Sequence, residues 1–274
     1  MVTLTGFADE ISPDLNVQLD TLQALGIRYL EFRGVWDKNV LDLTADELAT
    51  VKAELDRRGF KVSAIGSPIG KVSIDADFGQ YRTRVQQAID VALRMETPYV
   101  RVFSFYVNDL DQDREEVMQR MQSMVDMAAA AGVTLLHENE KGIYGELPER
   151  CLDLHRTVRG KHLRATFDPA NFVVAGVRPF ADGYPLLQPF IEYYHIKDAI
   201  RSEGRVVPAG EGNGQIRELM AAARATGFTG FLSLEPHLMV AGRGSGFSGP
   251  ELFSTAVKAL RAILDDLGIP ITGG

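Results

Sequence analysis

The sequence predicts an α/β fold in which eight parallel strands alternate with helices and close into a (β/α)8 TIM barrel. Three observations predict this fold. Strand-like and helix-like stretches alternate from end to end, and no low-complexity tract or linker divides the chain. The length of 274 residues is close to the roughly 250 residues typical of such barrels. We therefore expect a single domain over residues 1–274.

The first half of the chain gives four strand and helix pairs. Strands are predicted over residues 3–7, 29–35, 61–66 and 99–105, and helices over residues 13–25, 44–58, 78–95 and 111–131. Ser12-Pro13-Asp14 predicts a capped helix start with proline at the first helical position. Thr44 and Glu47, three residues apart, are typical of a capping box at the start of the second helix.

The second half repeats the alternation. The fifth strand begins at Thr134, and further strands are predicted over residues 163–168, 191–196 and 230–235. Helices are predicted over residues 148–158, 179–188, 214–226 and 250–267. No Gly-x-Gly-x-x-Gly pattern follows the first strand, so the main sign of a dinucleotide-binding fold is missing. Eight such units favour a closed barrel over an open sheet.

Composition narrows the classes of partner. The chain has 29 Lys plus Arg against 37 Asp plus Glu, a formal charge of -8, which argues against nucleic acid as the main partner. Cys151 is the only cysteine and cannot form an internal disulfide. No basic and apolar leader or long apolar span is evident. We expect a cytoplasmic protein with no membrane partner, and a homo-oligomer is compatible with the sequence.

Four consecutive strands end in residues that can bind a metal. These are Glu138, Asp168, His195 and Glu235, and the active sites of such barrels lie at this end of the strands. Three carboxylates at close range would repel one another, whereas one divalent cation removes the conflict. Oxygen ligands with one imidazole suit Mn, Mg, Co or Zn. The alternative is a set of salt-bridged carboxylates and an ordinary histidine.

Several motifs carry a resemblance to a known family. The sequence resembles the sugar isomerase and epimerase family with a xylose-isomerase-like barrel, which includes ketose 3-epimerases and inosose dehydratases. The stretches that carry the resemblance are His137-Glu138-Asn139-Glu140, Phe167-Asp168-Pro169-Ala170-Asn171, His195-Ile196-Lys197-Asp198, Gly210-Glu211-Gly212 and Leu234-Glu235-Pro236-His237.

The resemblance implies Glu138, Asp168, His195 and Glu235 as ligands of one divalent metal ion. As in the ketose 3-epimerases, it implies that Glu138 and Glu235 transfer protons on opposite faces of a sugar, through a cis-enediolate held on the metal. Removing a proton next to a carbonyl needs both a base within reach and a cation that stabilises the developing charge.

Four further residues are candidates for substrate binding. Arg201 has the spacing from His195 at which the epimerases place an arginine near substrate oxygens. Asn171 stands where those enzymes have a histidine, a departure that weakens a strict ketose 3-epimerase assignment. His237 is expected to reach the substrate or to orient Glu235. Lys71 is a candidate phosphate anchor.

A glycine-rich stretch and one residue pair have two interpretations each, and one histidine has a single expected role. The glycine-rich stretch 241–249 could also anchor a phosphate, although glycine is common in loops for conformational reasons alone. Glu31 and Arg33 alternate correctly on the second strand and either line the mouth of the barrel or form a structural ion pair. His137 should face the surrounding helices if Glu138 faces the barrel interior.

The resulting hypothesis is a metal-dependent isomerase or epimerase of a sugar or sugar phosphate. The first alternative is a lyase of the same fold, similar to an inosose dehydratase, because both reactions begin by abstracting the same proton. A DNA-repair endonuclease of the related barrel family would need several histidines for three zinc ions, and this acidic chain has five histidines in all. A non-catalytic binding barrel is the remaining alternative.

Overall fold

A computed structural model describes residues 1–238 and 248–272, and in these residues eight strands form one parallel sheet. The strands are β1 (Thr3–Gly6), β2 (Tyr29–Phe32), β3 (Lys61–Ile65), β4 (Tyr99–Val102), β5 (Thr134–Glu138), β6 (Leu163–Phe167), β7 (Ile191–Ile196) and β8 (Phe231–Leu234). Their order in the sheet is β1-β8-β7-β6-β5-β4-β3-β2. A parallel bridge between Phe7 and Glu31 joins the two outer strands, so the sheet closes into the predicted barrel.

Helices surround the sheet. They are α1 (Leu15–Ala24), α2 (Ala45–Arg58), α3 (Phe78–Arg94), α4 (Arg114–Ala130), α5 (Pro148–Thr157), α6 (Pro169–Val174), α7 (Tyr184–Leu187), α8 (Ile216–Ala225) and α9 (Gly249–Asp266). None of the helices in the described part of the chain is both long and apolar enough to cross a membrane.

Helix ends follow the local capping chemistry, with one correction. The capping box of α2 is confirmed: the Thr44 hydroxyl accepts from the Glu47 amide, and the Glu47 carboxylate accepts from the Thr44 amide. The predicted start of α1 at Pro13 is wrong, because Asp14 is the N-cap and its side chain accepts from the amide of Val17. An aspartate carboxylate satisfies the free amides of the first turn better than the upstream serine can from two residues away.

Three further differences concern short elements. The single helix expected over residues 179–188 is divided into a π-helical turn at Pro179–Gly183, then α7, then a 3-10 turn at Gln188–Phe190. Two hairpins were not predicted, one pairing Gly34–Val35 with Lys38–Asn39 and one pairing Asp198–Ile200 with Arg205–Val207. Helix α6, which begins directly after Asp168, was not predicted either.

The core has an outer and an inner layer. The outer layer packs the sheet against the helices, and the smaller inner layer contains Ala64, Leu136 and Tyr193. The inner layer also contains hydrogen bonds, since the Ser63 hydroxyl contacts both Thr5 Oγ1 at 2.8 Å and the Tyr193 hydroxyl at 2.9 Å. Because side chains alternate along a strand, the inward position of Leu136 places Glu138 on the same side, at the carboxyl end of the barrel.

His137 faces outward, as expected. Its Nε2 atom lies 3.0 Å from the Ser104 hydroxyl, and its ring packs edge-to-face against His155 of α5. Burial lowers the pKa of His137 to about 4, so the ring is neutral at physiological pH. This histidine therefore belongs to the packing between sheet and helices.

Candidate metal centre and active site

The four predicted ligands converge at the carboxyl end of the barrel. Glu138, Asp168, His195 and Glu235 are buried, and each offers one ligand atom within 4.8 Å of the others. His195 Nδ1 lies 3.1 Å from Glu138 Oε1, 3.8 Å from Glu235 Oε2 and 4.0 Å from Asp168 Oδ2. These four residues come from or directly follow β5, β6, β7 and β8, so neighbouring strands bring them together.

Two atoms of this cluster fit a bound cation especially well. Asp168 Oδ2 and His195 Nδ1 are buried and have no hydrogen-bond partner among the described residues. Lys197 Nζ approaches Asp168 Oδ2 to 2.8 Å as an ion pair, but this contact lies outside hydrogen-bond geometry. Buried polar atoms normally have partners, and a carboxylate oxygen facing an imidazole nitrogen is a donor set that a divalent cation can use.

The orientation of His195 is fixed by Glu31. The two carboxylate oxygens of Glu31 lie 3.1 and 3.3 Å from His195 Nε2, on the side of the ring away from the cluster. The Ser233 hydroxyl donates to Glu31 Oε2 at 2.7 Å. A metal-binding histidine commonly donates its other ring N–H to a carboxylate, which fixes the tautomer that leaves the ligand nitrogen free.

Each of the two glutamates has one oxygen at the cluster and one held by an arginine. Glu138 Oε2 lies 3.2 Å from Arg101 Nη1, and Glu235 Oε1 lies 3.0 Å from Arg33 Nη1. Glu31 and Arg33 therefore do not pair with each other. Both contribute to the site, but Glu31 binds His195 whereas Arg33 binds Glu235.

Lys197 brings a buried ammonium group to the cluster. Its Nζ atom lies 2.8 Å from Asp168 Oδ2 and 3.0 Å from Glu235 Oε2, and the residue is 7% exposed. Burial opposes its charge, but the two carboxylates hold the pKa of Lys197 well above its usual value. The ammonium therefore offsets part of the negative charge of the cluster.

Burial and neighbouring charges together shift the pKa values of the cluster residues in opposite directions. Burial alone would raise the pKa of Glu138, but the positive charges of His195 and Arg101 lower it to about 2. Burial raises the pKa of Asp168 to about 6 in spite of the nearby lysine. Burial disfavours the charged form of His195, yet Glu138 and Glu31 raise its pKa to about 10. The carboxylates thus favour positive charge at the centre of the cluster.

Two of the four predicted substrate residues lie beside the cluster. The Asn171 side chain donates to Glu138 Oε1 at 3.2 Å and to the main-chain oxygen of Asn139 at 2.9 Å. His237 Nε2 lies 2.9 Å from Glu10 Oε1 and 3.6 Å from Glu235 Oε1. Asn171 is therefore placed to orient Glu138, and His237 is placed to orient Glu235. Contact of either side chain with a substrate stays a prediction.

Lys71 lies farther out. Its Nζ atom forms an ion pair with Glu140 Oε2 at 2.8 Å and lies 4.3 Å from the centre of the Phe103 ring. That ring also contacts the guanidinium of Arg101 at 4.9 Å. Residues 241–247, most of the glycine-rich stretch that could bind phosphate, lie outside the described residues.

The structure does not bring Arg201 to the cluster. Its guanidinium donates to the main-chain oxygens of Gly176 at 2.9 Å and Val177 at 2.5 Å, and its amide donates to Asn213. It forms no hydrogen bond or ion pair with any of the four cluster residues, all of which the structure describes. The role of Arg201 at the substrate stays a prediction.

Sequence reasoning missed Arg101, Lys197 and Glu10 as members of the site. The first two carried a signal in the sequence. Arg101 is a charged residue on a buried strand. Lys197 follows His195 by two positions, which places the side chains of His195 and Lys197 on the same side of the chain. Glu10 carried no such signal. It lies in a short 3-10 turn after β1, and its approach to Arg33 depends on how the barrel closes.

Comparisons with known proteins agree with this fold. A family model described as xylose isomerase-like TIM barrel matches residues 19–263. No curated protein matches the sequence.

Several solved structures are similar over nearly the whole chain. The probable 3-DHS dehydratase AsbF from Bacillus anthracis, involved in petrobactin synthesis, has a TM-score of 0.76 and 19% identity, covering 95% of this chain and 99% of its own. A D-tagatose 3-epimerase-like protein has a TM-score of 0.77 and 18% identity, covering 97% and 98%. A xylose isomerase-like TIM barrel protein from Mycobacterium smegmatis in complex with magnesium has a TM-score of 0.65 and 17% identity, covering 96% and 97%. At these identities the similarity concerns the fold.

Proposed function

Because the chain belongs to the xylose isomerase-like TIM barrel family, we propose that it is a divalent-metal-dependent isomerase or epimerase of a sugar or sugar phosphate. The observation that carries this proposal is the convergence of four buried ligand atoms on one centre. Two of them, Asp168 Oδ2 and His195 Nδ1, have no hydrogen-bond partner in the part of the chain that the structure describes. A magnesium complex among the structural neighbours is consistent with such a centre.

In the proposed reaction, the four cluster residues would have two roles, metal binding and proton transfer. Glu138, Asp168, His195 and Glu235 would hold the cation, which would stabilise the negative charge that develops on a substrate carbonyl oxygen. Glu138 and Glu235 would remove the neighbouring proton and return it. Each presents one oxygen to the cluster while an arginine holds the other. Two carboxylates from different strands allow removal and return on opposite faces of a carbon atom, which inverts it.

A lyase reaction is the second candidate, and the Lys197 ammonium favours it. In a dehydratase the same proton is removed, but a hydroxyl group then leaves, and a donor beside the cluster is needed to assist its departure. Lys197 Nζ lies within 3.0 Å of both Asp168 and Glu235 and could serve as that donor. A protein described as a probable dehydratase also occurs among the structural neighbours.

Deuterium exchange tests the proposal directly. Protein loaded with Mn²⁺, Mg²⁺, Co²⁺ or Zn²⁺ in separate samples is incubated in deuterated water with ketoses, ketose phosphates and inososes. We expect NMR to show deuterium uptake next to the carbonyl of at least one compound. Product analysis then separates a new epimer or isomer from a dehydrated product. If no compound exchanged with any of the metals, the proposal that the protein is an enzyme of this kind would be contradicted.

One variant and a matched control test the role of Glu138 as a base. Glu138→Gln keeps the shape of the side chain but cannot accept the proton, so exchange should fall by about 100-fold or more. Glu192→Gln is the matched control, because Glu192 lies on β7 and binds Tyr99 and Arg164 without contacting the cluster. Equal exchange by the wild type and the Glu138 variant would contradict the assignment.

A further inference from the structure

The Phe7 ring contacts both arginines that hold the glutamates. The guanidinium carbon of Arg33 is 4.4 Å from the centre of the Phe7 ring, and that of Arg101 is 5.1 Å away. The same ring packs edge-to-face against His195, with centroids 5.2 Å apart. Phe7 is fully buried, and its backbone forms the bridge to Glu31 that joins the two outer strands.

Each arginine reaches a different glutamate from this ring. Arg33 donates to Glu235 Oε1 at 3.0 Å, and Arg101 donates to Glu138 Oε2 at 3.2 Å. Both contacts leave the second carboxylate oxygen of each glutamate at the cluster. The ring is therefore a common support for two guanidinium groups that bind different glutamates of the site.

Other contacts restrict the two arginines but do not replace the ring. Arg101 Nη2 donates to the main-chain oxygens of Gly66 at 3.1 Å and Ser67 at 3.2 Å. Arg33 donates to Asp9 at 2.7 Å and to Glu10 at 2.7 Å. The guanidinium of Arg101 also lies 4.9 Å from the centre of the Phe103 ring, but Phe7 contacts both arginines, and its face restricts the tilt of both guanidinium planes. A cation over an aromatic face is held most strongly where water is excluded.

We propose that Phe7 is a positioning residue that orients both glutamates through Arg33 and Arg101. This inference rests on the proposed function, in which Glu138 and Glu235 transfer protons. A small change in the tilt of a guanidinium moves the hydrogen-bonded carboxylate oxygen and rotates the carboxylate plane. Proton transfer is sensitive to such displacements, since a misplacement of about 1 Å can cost a factor of about 100 in rate.

The test replaces the ring while keeping its approximate volume. Phe7→Met should lower kcat by about tenfold or more and leave KM within about threefold, because substrate binding keeps its groups while proton transfer loses its geometry. Phe60→Met is the matched control. Phe60 is also buried and also carries two arginines, with Arg28 at 5.5 Å and Arg58 at 5.8 Å, but it lies before β3 at the opposite end of the barrel. Its kcat should stay within about twofold of the wild type.

A double variant tests the route through the arginine. Because Phe7 is proposed to act through Arg101 as well as Arg33, Phe7→Met combined with Arg101→Met should lower kcat by less than the product of the two single effects. Full multiplication of the two single effects would contradict the proposal. So would a Phe7→Met enzyme with wild-type kcat, or a loss of kcat as large in the Phe60 variant.

A spectroscopic measurement keeps this inference separate from the proposed function. The visible absorption of Co²⁺-loaded protein depends on the arrangement of the metal ligands, which in the proposed centre would include both glutamates. We expect Phe7→Met to change the band positions or intensities and Phe60→Met to leave them as in the wild type. If the wild type turns over no sugar but the Co²⁺ spectrum changes in this way, only the proposed function fails. If turnover is observed and neither the spectrum nor kcat responds to Phe7→Met, only the positioning role fails.

Discussion

Replacing Glu31 by glutamine should weaken metal binding although Glu31 is not one of the four proposed metal ligands. Glu31 is 1% exposed, and its carboxylate accepts from His195 Nε2 at 3.1 Å and from the Ser233 hydroxyl at 2.7 Å. The amide of Glu31→Gln keeps the shape but loses the charge that strengthens the imidazole as a ligand. It can also turn its NH2 group toward His195 Nε2, which would favour the wrong tautomer.

The expected effect is a 10- to 100-fold loss of affinity. A hydrogen bond to a charged group contributes about 1.5–3 kcal/mol, and about 1.4 kcal/mol corresponds to each factor of ten. Isothermal titration with Mn²⁺ measures the change, and Glu192→Gln serves as a charge-matched control at the opposite end of β7. Wild-type affinity in the Glu31 variant would refute the reasoning, because the His195 ring would then need no carboxylate to hold it. An equal loss in the Glu192 variant would point to net charge as the cause.

Three further predictions concern stability. Burial lowers the pKa of His155 from 6.5 to about 3. The unfolded chain therefore takes up a proton between these values while the folded chain does not, and the free energy of unfolding should fall below pH 6.5 by up to about 1.4 kcal/mol per pH unit. His155→Phe, which preserves the stack on Phe190, should make this slope shallower in urea titrations at pH 5 and 7, and an unchanged slope would contradict it. Gly66→Ala would place a Cβ 2.7 Å from Phe7 Cε1, so it should cost about 1–3 kcal/mol by overpacking, visible as a lower Tm. Removing divalent metal with a chelator should also lower the Tm, and Mn²⁺ should restore it; a Tm that ignores both treatments would argue against a metal centre.

Much of the fold could be predicted because its signals are local and repeated. Alternating strands and helices identify the parallel units, and consecutive polar strand ends identify the side of the barrel that carries the site. Glu138, Asp168, His195 and Glu235 were found in this way, since neighbouring parallel strands bring their carboxyl ends together. The alternation of side chains along β5 explains why His137 faces outward when Glu138 faces inward.

The parts that could not be predicted depend on loop paths and on barrel closure. Arg201 follows His195 at a suggestive spacing, but the unpredicted hairpin of Asp198–Ile200 and Arg205–Val207 carries it to the main-chain oxygens of Gly176 and Val177. Arg33 meets Glu235 across a sequence separation of 202 residues. No local pattern reports such a contact, because it exists only once β1, β2 and β8 are adjacent.

Helix α6 shows how a short element with little sequence signal can position a site. Asp168 is the N-cap of this helix, and its Oδ1 atom accepts from the amide of Asn171 at 2.9 Å. That bond leaves Oδ2 as the oxygen available to the cluster. The Asn139 side chain then joins β5 to β6, since it donates to the main-chain oxygen of Asp168 and accepts from the Asp168 amide, both at 2.9 Å.

The same cap determines where Asn171 lies. With its amide bound to Asp168, the Asn171 side chain reaches Glu138 Oε1 at 3.2 Å. Asparagine has no titratable proton, so it can orient Glu138 but cannot exchange protons in place of a histidine. In the proposed reaction, proton transfer would therefore fall to the carboxylates, with Lys197 as an additional donor. The proposed product would be an epimer if the second proton goes to the same carbon, and a dehydrated compound if it goes to a hydroxyl group that then leaves as water.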